Sequence, residues 1–209
     1  MLESLARWFK LSVFRGSARY WERRYQRGRN SGTGSYGANA EFKAQTLNQL
    51  LATHPISSVL ELGCGDGAQL ALIHYPDYVG TDISDTAVSL CRKAFAADAS
   101  KRFFPISERA AWAPAAGYDL TLSLDVIYHL VEDSVFEAYM QDLFALARHH
   151  VVIYSTNFDS TAQTTKAVHV RHREFQRWVT REARDWELAA TIANPDPELP
   201  DFFFYRRRA

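Results

Sequence analysis

Residues 59–67 read Val-Leu-Glu-Leu-Gly-Cys-Gly-Asp-Gly, an apolar run that ends in a cluster of glycines. The run Val59–Leu62 has the length and composition of a short buried strand, and the glycines mark a tight turn after it. A helix through Gln69–His74 is expected next. Glycines at such a turn let the backbone approach a ligand closely, and the start of a helix supplies free N–H groups beside it.

Working outward, the same alternation continues. Tyr78–Asp82 reads as a second strand, and Ser84 as the N-cap of a helix whose apolar positions Ala87, Val88, Cys91, Ala94 and Phe95 fall at helical spacing. Arg102–Ile106 and Tyr118–Leu124 read as strands three and four. Ser134 with Glu137 has the pattern of a capping box. Val151–Tyr154 reads as a fifth strand, His169–Ala183 as a helix, and Trp186–Ile192 with Phe202–Arg206 as a closing β-hairpin. Upstream, a helix begins near Ala40, after the Gly- and Ser-rich segment Gly28–Gly37. Leu2, Leu5, Trp8, Phe9 and Val13 fit one face of an earlier helix. The expected organisation is an N-terminal helical arm and lid loop over residues 1–39 and one ligand-binding domain over residues 40–209. Strands alternating with helices predict an α/β fold, with a largely parallel sheet covered on both faces.

Bulk properties narrow the function. The 209 residues are 47% hydrophobic and 23% charged, ordinary for a soluble domain. Lys plus Arg (24) balances Asp plus Glu (24), so no broad positive field points to nucleic acid. The local clusters Arg23, Arg24, Arg27, Arg29 and Arg206–Arg208 read as solvated faces. Two cysteines, Cys64 and Cys91, make neither a metal motif nor a disulfide framework and suit a reducing compartment. No apolar stretch reaches membrane-spanning length. Glu3, Arg7 and Lys10 interrupt the N-terminus, so a cytoplasmic location is expected. The amphipathic N-terminal segment would pack on the domain or on a second subunit, making a homodimer. No spacing of carboxylates and histidines suggests a metal.

The glycine turn has two readings. Gly63, Gly65 and Ala68 formally satisfy the G-x-G-x-x-G/A pattern of dinucleotide sites, which is a weak match taken alone. Glu61, inside the strand, can orient the turn and reach a ligand ammonium. Asp66 adds negative charge where a pyrophosphate would need none. Asp82, at the end of strand two, is placed to accept both hydroxyls of an adenosine ribose. A cationic ligand bearing an amino acid suits this acidic turn better than a dianion does.

Taken in order, VLELGCGDG, VGTDIS and YDLTLSLDVIYHL resemble the motif set of class I S-adenosylmethionine-dependent methyltransferases. The resemblance covers roughly residues 40–155. It implies a Rossmann-like, mostly parallel seven-stranded sheet with S-adenosyl-L-methionine as cofactor. It also implies that Gly63, Gly65 and Gly67 line the methionine portion with Glu61 nearby. Asp82 would bind the ribose, Ile83 would pack on adenine, and Asp125 would sit beside the methionine moiety. A residue within Ile106–Glu108 would meet the adenine edge. A second set, YWERRYQRGRNSGTGSYG, EFKAQTLN, SLDVIYHLVED and HVRHREFQRW, is similar to small bacterial methyltransferases of saccharide and polysaccharide biosynthesis. Sugar O-methyltransferases are among them, which implies a hydroxyl acceptor on a small saccharide.

A hydroxyl must lose its proton as its oxygen attacks, so a near-neutral base is useful. His129, four residues past Asp125, sits where a base at the mouth of the crevice would be; alternatively it braces the next helix through a backbone bond. His169 and His172 are further candidates, and Arg171 and Arg173 could clamp an anionic or hydroxylated acceptor, unless the segment is plain surface helix. Tyr154, Ser155 and Asn157 end strand five and could face the acceptor. Tyr20, Trp21, Tyr25 and Tyr36 suit either an aromatic lid or a packed helix face. N- or S-methylation of a small metabolite, and a cofactor-binding subunit without catalysis, remain alternatives. RNA methylation lacks an Asn-Pro-Pro-Tyr-like motif and a net positive charge.

Overall fold

The structure, a computed structural model, describes residues 16–160 and 167–208. The amphipathic segment Leu2–Val13 lies outside the described residues. Seven strands form one sheet in the order β3-β2-β1-β4-β5-β7-β6. They are β1 (Val59–Leu62), β2 (Tyr78–Asp82), β3 (Lys101–Pro105), β4 (Tyr118–Leu124), β5 (Ala147–Ser155), β6 (Trp186–Ile192) and β7 (Asp201–Arg207). The first five pair in parallel, while β7 runs antiparallel between β5 and β6. The helices are α1 (Ser17–Gln26), α2 (Gly37–Thr53), α3 (Asp85–Ala94), α4 (Arg109–Trp112), α5 (Asp133–Ala145) and α6 (Phe175–Glu182).

The strands β1, β2 and β4 are buried throughout because both faces of the sheet are covered, and successive side chains alternate between them. Leu60, Leu62, Val151 and Ile153 point into one core with Tyr139, Met140 and Leu143 of α5 and Phe175 and Trp178 of α6. Val59, Leu120, Leu122 and Val152 point into the other, with Ala44 and Leu47 of α2 and Val88 and Cys91 of α3. Strand order reverses between β1 and β4, and the carboxyl ends of the strands there open the crevice in which such sheets bind ligands.

The expected bounds of β1, β2, β4 and β6 coincide with the structure, and Ser84 caps α3 by accepting the Ala87 N–H at 3.1 Å. Three local expectations are corrected. Gln69–His74 contains a single 3₁₀ turn, Leu70–Leu72, because the stretch between Gly67 and Pro76 is too short to propagate an α-helix and seats Leu70 and Ile73 three residues apart in the core. The Ser134/Glu137 capping box is absent. The helix starts at Asp133 behind Glu132, whose carboxylate is taken by Ser17, and Glu137 instead accepts the Trp178 indole N–H. The helix expected from His169 begins at Phe175, since Arg171 and Arg173 reach the carbonyls of Val131 and Leu130 and the carboxylate of Asp133. Those tertiary bonds outweigh helical propensity.

One side chain ties the sheet together at the amino ends of its central strands. Asp119 accepts the N–H groups of Ser57 and Ser58 at 2.9 and 3.0 Å and pairs with Arg148 at 2.6 Å. Burial raises its pKa, but these bonds outweigh it and hold the carboxyl well below the usual range. A group with a depressed folded pKa stabilises above its unfolded value, and that contribution is lost as pH falls through the folded one. Asp119→Ala is therefore expected to cost about 2–4 kcal/mol in urea unfolding at pH 7, with the gap to the parent protein closing below about pH 4. An unchanged midpoint at pH 7 would contradict this role.

Candidate functional site

The turn after β1 is folded back onto β2. Gly63 and Cys64 both donate their N–H to the Thr81 carbonyl, at 2.7 and 2.9 Å. Gly63 has φ 92° and Gly65 φ 58°, conformations that L side chains rarely adopt. A Cβ on Gly63 would lie 2.5 Å from Val126, and one on Gly65 would collide with Ser31 of the arm. Asp82, buried at the tip of β2, is fixed by backbone donors. Gly65 N–H reaches Oδ2 and Ser84 N–H reaches Oδ1, both at 2.9 Å. Burial pushes its pKa up to about 6 against the pull of those bonds. Glu61 lies beneath the turn and accepts the Tyr78 hydroxyl at 2.7 Å. Burial raises it to about 7, while that bond and the Lys43 charge act the other way.

Asp125 follows β4 with φ 61°, a strained conformation for a residue with a side chain. Two donors hold it there, one on each oxygen: Lys43 Nζ at 2.5 Å and the Tyr128 hydroxyl at 2.7 Å. Lys43 is buried and lies 5.2 Å from the centre of the Tyr154 ring.

His129 ends the short turn Ile127–His129. Its Nδ1 lies 3.1 Å from the His169 carbonyl oxygen. A carbonyl only accepts, so Nδ1 carries the proton and Nε2 keeps a lone pair. The backbone brace and the base geometry are thus compatible. Trp21 stands edge-on to this imidazole at 4.8 Å, and Tyr20 stacks on His169 at 4.1 Å. Burial lowers the pKa of His129 to about 4, with the His169 carbonyl opposing, so the ring is neutral at physiological pH.

The arm is fastened over this region at four places. Ser17 donates N–H and hydroxyl to Glu132 at 2.9 and 2.7 Å. Glu22 accepts the hydroxyls of Ser84 and Thr86 at 2.6 Å each, at the start of α3 where the helix dipole favours a carboxylate. Ser31 and Asp66 exchange bonds at 2.9 and 3.1 Å, and the Tyr36 hydroxyl adds a third to Asp66 at 2.9 Å. Gly34 is packed so tightly on Asp125 that a Cβ there would lie 2.8 Å from Oδ2.

Between arm and sheet lies a cavity of about 600 Å³, within the range of small-molecule sites. Of the candidate site residues read from sequence, Trp21, Tyr25, Glu61, Gly63, Gly65, Asp82, Ile83, Ile106, Asp125 and His129 line it. The others lie off its wall. Gly67 faces Cys91 and Phe95. Tyr36 is bound to Asp66, and Tyr154 lies behind Lys43 with its hydroxyl accepting from Asn194 at 2.8 Å. His169 stacks outside His129, and Arg171 pairs with Asp133 at 2.9 Å. His172 Nδ1 lies 2.7 Å from the Thr156 hydroxyl oxygen, and its ring stacks on Phe158. Among the wall residues that sequence reasoning missed are Lys43 and Gln69. For Lys43 a signal existed: it shares the buried face of α2 with Ala40, Ala44 and Leu47, an unusual place for a lysine. No group of three or more metal-ligating side chains occurs among the described residues, and no helix among them is long and apolar enough to cross a membrane.

Comparison with solved structures supports the fold. The N-methyltransferase NodS from Bradyrhizobium japonicum WM9, crystallised with S-adenosyl-L-homocysteine, has TM-score 0.69 and 15% identity, covering 93% of this chain and 100% of that one. Magnesium protoporphyrin IX methyltransferase from Synechocystis PCC 6803, with bound SAM, has TM-score 0.59 and 17% identity over 93% and 99%. The methyltransferase domain of bacterial CtHen1 has TM-score 0.62 and 20% identity over 80% and 97%. None of the curated proteins compared matches the chain. Residues 32–194, which span the arm's loop, the glycine turn, Asp125 and His129, match the family described as methyltransferase domain, and the chain belongs to that family.

Proposed function

We propose that the protein transfers a methyl group from S-adenosyl-L-methionine to a hydroxyl of a small polar acceptor, a saccharide. The observation that carries this reading is one cavity with two unlike ends: the glycine turn with Asp82, and a neutral histidine with a free Nε2 lone pair. The residues present fit the cofactor. Asp82 accepts backbone N–H groups on both oxygens, and its carboxylate at the cavity wall is placed to accept a ribose hydroxyl as well. Ile83 and Ile106 offer apolar surface to adenine, while Glu61 and Asp125 suit a sulfonium. Bound there, the cofactor supplies an electrophilic methyl carbon on a good leaving group.

The chain's own residues do the rest. Trp21 and Tyr25 give flat apolar surface for a sugar face. With the cofactor supplying the methyl group and leaving as S-adenosylhomocysteine, His129 Nε2 would take the proton of the acceptor hydroxyl. A pKa near 4 keeps this imidazole unprotonated but makes it a modest base, so alignment of acceptor, methyl and sulfur contributes much of the acceleration. The arm excludes water from the reacting groups.

Two experiments test this reading. Calorimetry is expected to show binding of S-adenosylmethionine and S-adenosylhomocysteine but not of NAD(H); heat from NAD alone would overturn it. Hydrogen exchange over residues 20–37 is expected to slow when cofactor and acceptor are both added, since the arm must open to admit them. Equal protection with and without ligands would show that the arm is a fixed wall.

A further inference from the structure

We propose that Cys64 in the glycine turn and Cys91 on α3 are an oxidisable thiol pair, which hydrogen peroxide closes to a disulfide and which thereby switches ligand binding at the turn off. The disulfide stands by itself; its effect on binding rests on the S-adenosylmethionine reading above.

The chain has two cysteines, both buried and both free thiols. They converge on one backbone atom. Cys91 Sγ donates to the Gly65 carbonyl oxygen at 3.2 Å, and Cys64 Sγ lies 4.0 Å from the same oxygen. The thiols also meet each other: the hydrogen bond with Cys91, ahead of burial, holds the Cys64 pKa well above the ordinary thiol value. A Cβ on Gly67 would lie 3.1 Å from Cys91 Sγ, so that sulfur is wedged against both Gly65 and Gly67. The two sulfurs differ in access. Cys64 lines the cavity, which gives a molecule as small as a peroxide a path to it, whereas Cys91 lies behind it in the core with Val88 and Phe103.

That difference orders the chemistry. The Cys64 thiolate attacks one peroxide oxygen, the O–O bond breaks, a sulfenic acid forms and one water leaves. Cys91 sulfur then attacks the Cys64 sulfur and releases the hydroxyl as a second water. Two thiols are oxidised, and one peroxide is reduced to two waters. The raised pKa of Cys64 keeps its thiolate scarce at neutral pH, so the reaction is slow there and quickens as pH rises. A disulfide bond is far shorter than a contact between two thiols, so the sulfurs must be drawn together. Cys64 is pinned to β2 by its N–H bond to the Thr81 carbonyl at 2.9 Å. The Cys91 S–H bond to Gly65 is lost, and with it the support of the peptide whose N–H anchors Asp82 Oδ2 at 2.9 Å. Oxidation therefore loosens the carboxylate on which cofactor binding depends.

The test treats the ligand-free full chain with hydrogen peroxide, alkylates the remaining thiols and reads the intact mass, with calorimetry of S-adenosylhomocysteine in parallel. Both thiols are expected to escape alkylation, with the mass lowered by two hydrogens, faster at alkaline than at neutral pH, and to be restored by dithiothreitol. The oxidised protein is expected to bind S-adenosylhomocysteine about tenfold more weakly or worse, and to recover on reduction. Ligand bound beforehand is expected to slow the oxidation. Cys91→Ala is expected to stop at a sulfenic acid on Cys64, which dimedone traps, and Cys64→Ala to leave Cys91 unoxidised. Thiols that stay free, or oxidation beyond sulfenic acid with no link between the two, would overturn the pair. A disulfide form that binds S-adenosylhomocysteine as tightly as the reduced protein would overturn the switch. Reduced protein that binds no S-adenosylhomocysteine would instead overturn the cofactor reading, while the mass still decides the disulfide.

Discussion

Replacing His129 with glutamine is expected to lower turnover by at least roughly a hundredfold, within the 10²–10⁴ range typical of a positioned base, with cofactor affinity nearly intact. Glutamine keeps a donor for the His169 carbonyl, which the native ring reaches at 3.1 Å, so the turn stays braced while the basic lone pair is lost. The pH dependence carries the same signature. Burial lowers the pKa of His129 to about 4, so the proton-free form prevails at every pH above that value. The rate constant for bound substrate is therefore expected to show no protonation step near 6.5, the ordinary histidine value, and to decline only towards pH 4. A variant with near-normal turnover on the true acceptor would remove His129 from the mechanism. His172 is the next to test, although it lies off the cavity wall and is bonded to Thr156.

The second large effect is expected at Asp82. Its carboxylate is both the anchor of the glycine turn and the proposed partner of the ribose hydroxyls. Asp82→Ala is expected to weaken S-adenosylhomocysteine by about 1–3 kcal/mol, the scale of charge-assisted hydrogen bonds. The parent protein should show the linked proton. Burial holds Asp82 near 6 in the free protein, and binding favours its ionised form. Affinity is then full above about pH 6 and falls as pH drops below it, with a proton released on binding. Asp82→Asn is expected to remove the pH dependence centred there. Calorimetry in buffers of different ionisation enthalpy measures that proton directly. Affinity that stays level from pH 7.5 to 5 would contradict the assignment.

The sheet was legible because its strands are buried on both faces. Val59–Leu62 stands out as an apolar run, Tyr118–Leu124 as an alternation of Leu with Asp, Thr and Ser, and Tyr78–Asp82 as a short segment between turns, and the structure reproduces their ends. The end of the cavity at the glycine turn was legible for a related reason: glycines at φ 92° and 58° have few substitutes, and the acid at the tip of β2 lies beside them. What escaped was decided by contacts distant in sequence. Arg171 and Arg173 look like acceptor clamps from their spacing, but Asp133 and the carbonyls of Leu130 and Val131 occupy them. Tyr154 ends β5 as expected, but its ring lies behind Lys43. The pairing of Lys43 with Asp125 joins residues 82 positions apart, which no local pattern reveals. The fastening of the arm by Ser17, Glu22 and Ser31 is equally nonlocal, since each reaches a separate element of the body.

The measurement that bears most directly on the central claim is transfer of labelled methyl from S-adenosylmethionine to a panel of sugars, glycosides, amines and thiols. Wild-type protein is expected to label a sugar hydroxyl, with one equivalent of S-adenosylhomocysteine formed per methyl transferred, and His129→Gln to lose that labelling while still binding cofactor. Labelling confined to amines or thiols, or cofactor binding with no transfer to any acceptor, would contradict the account.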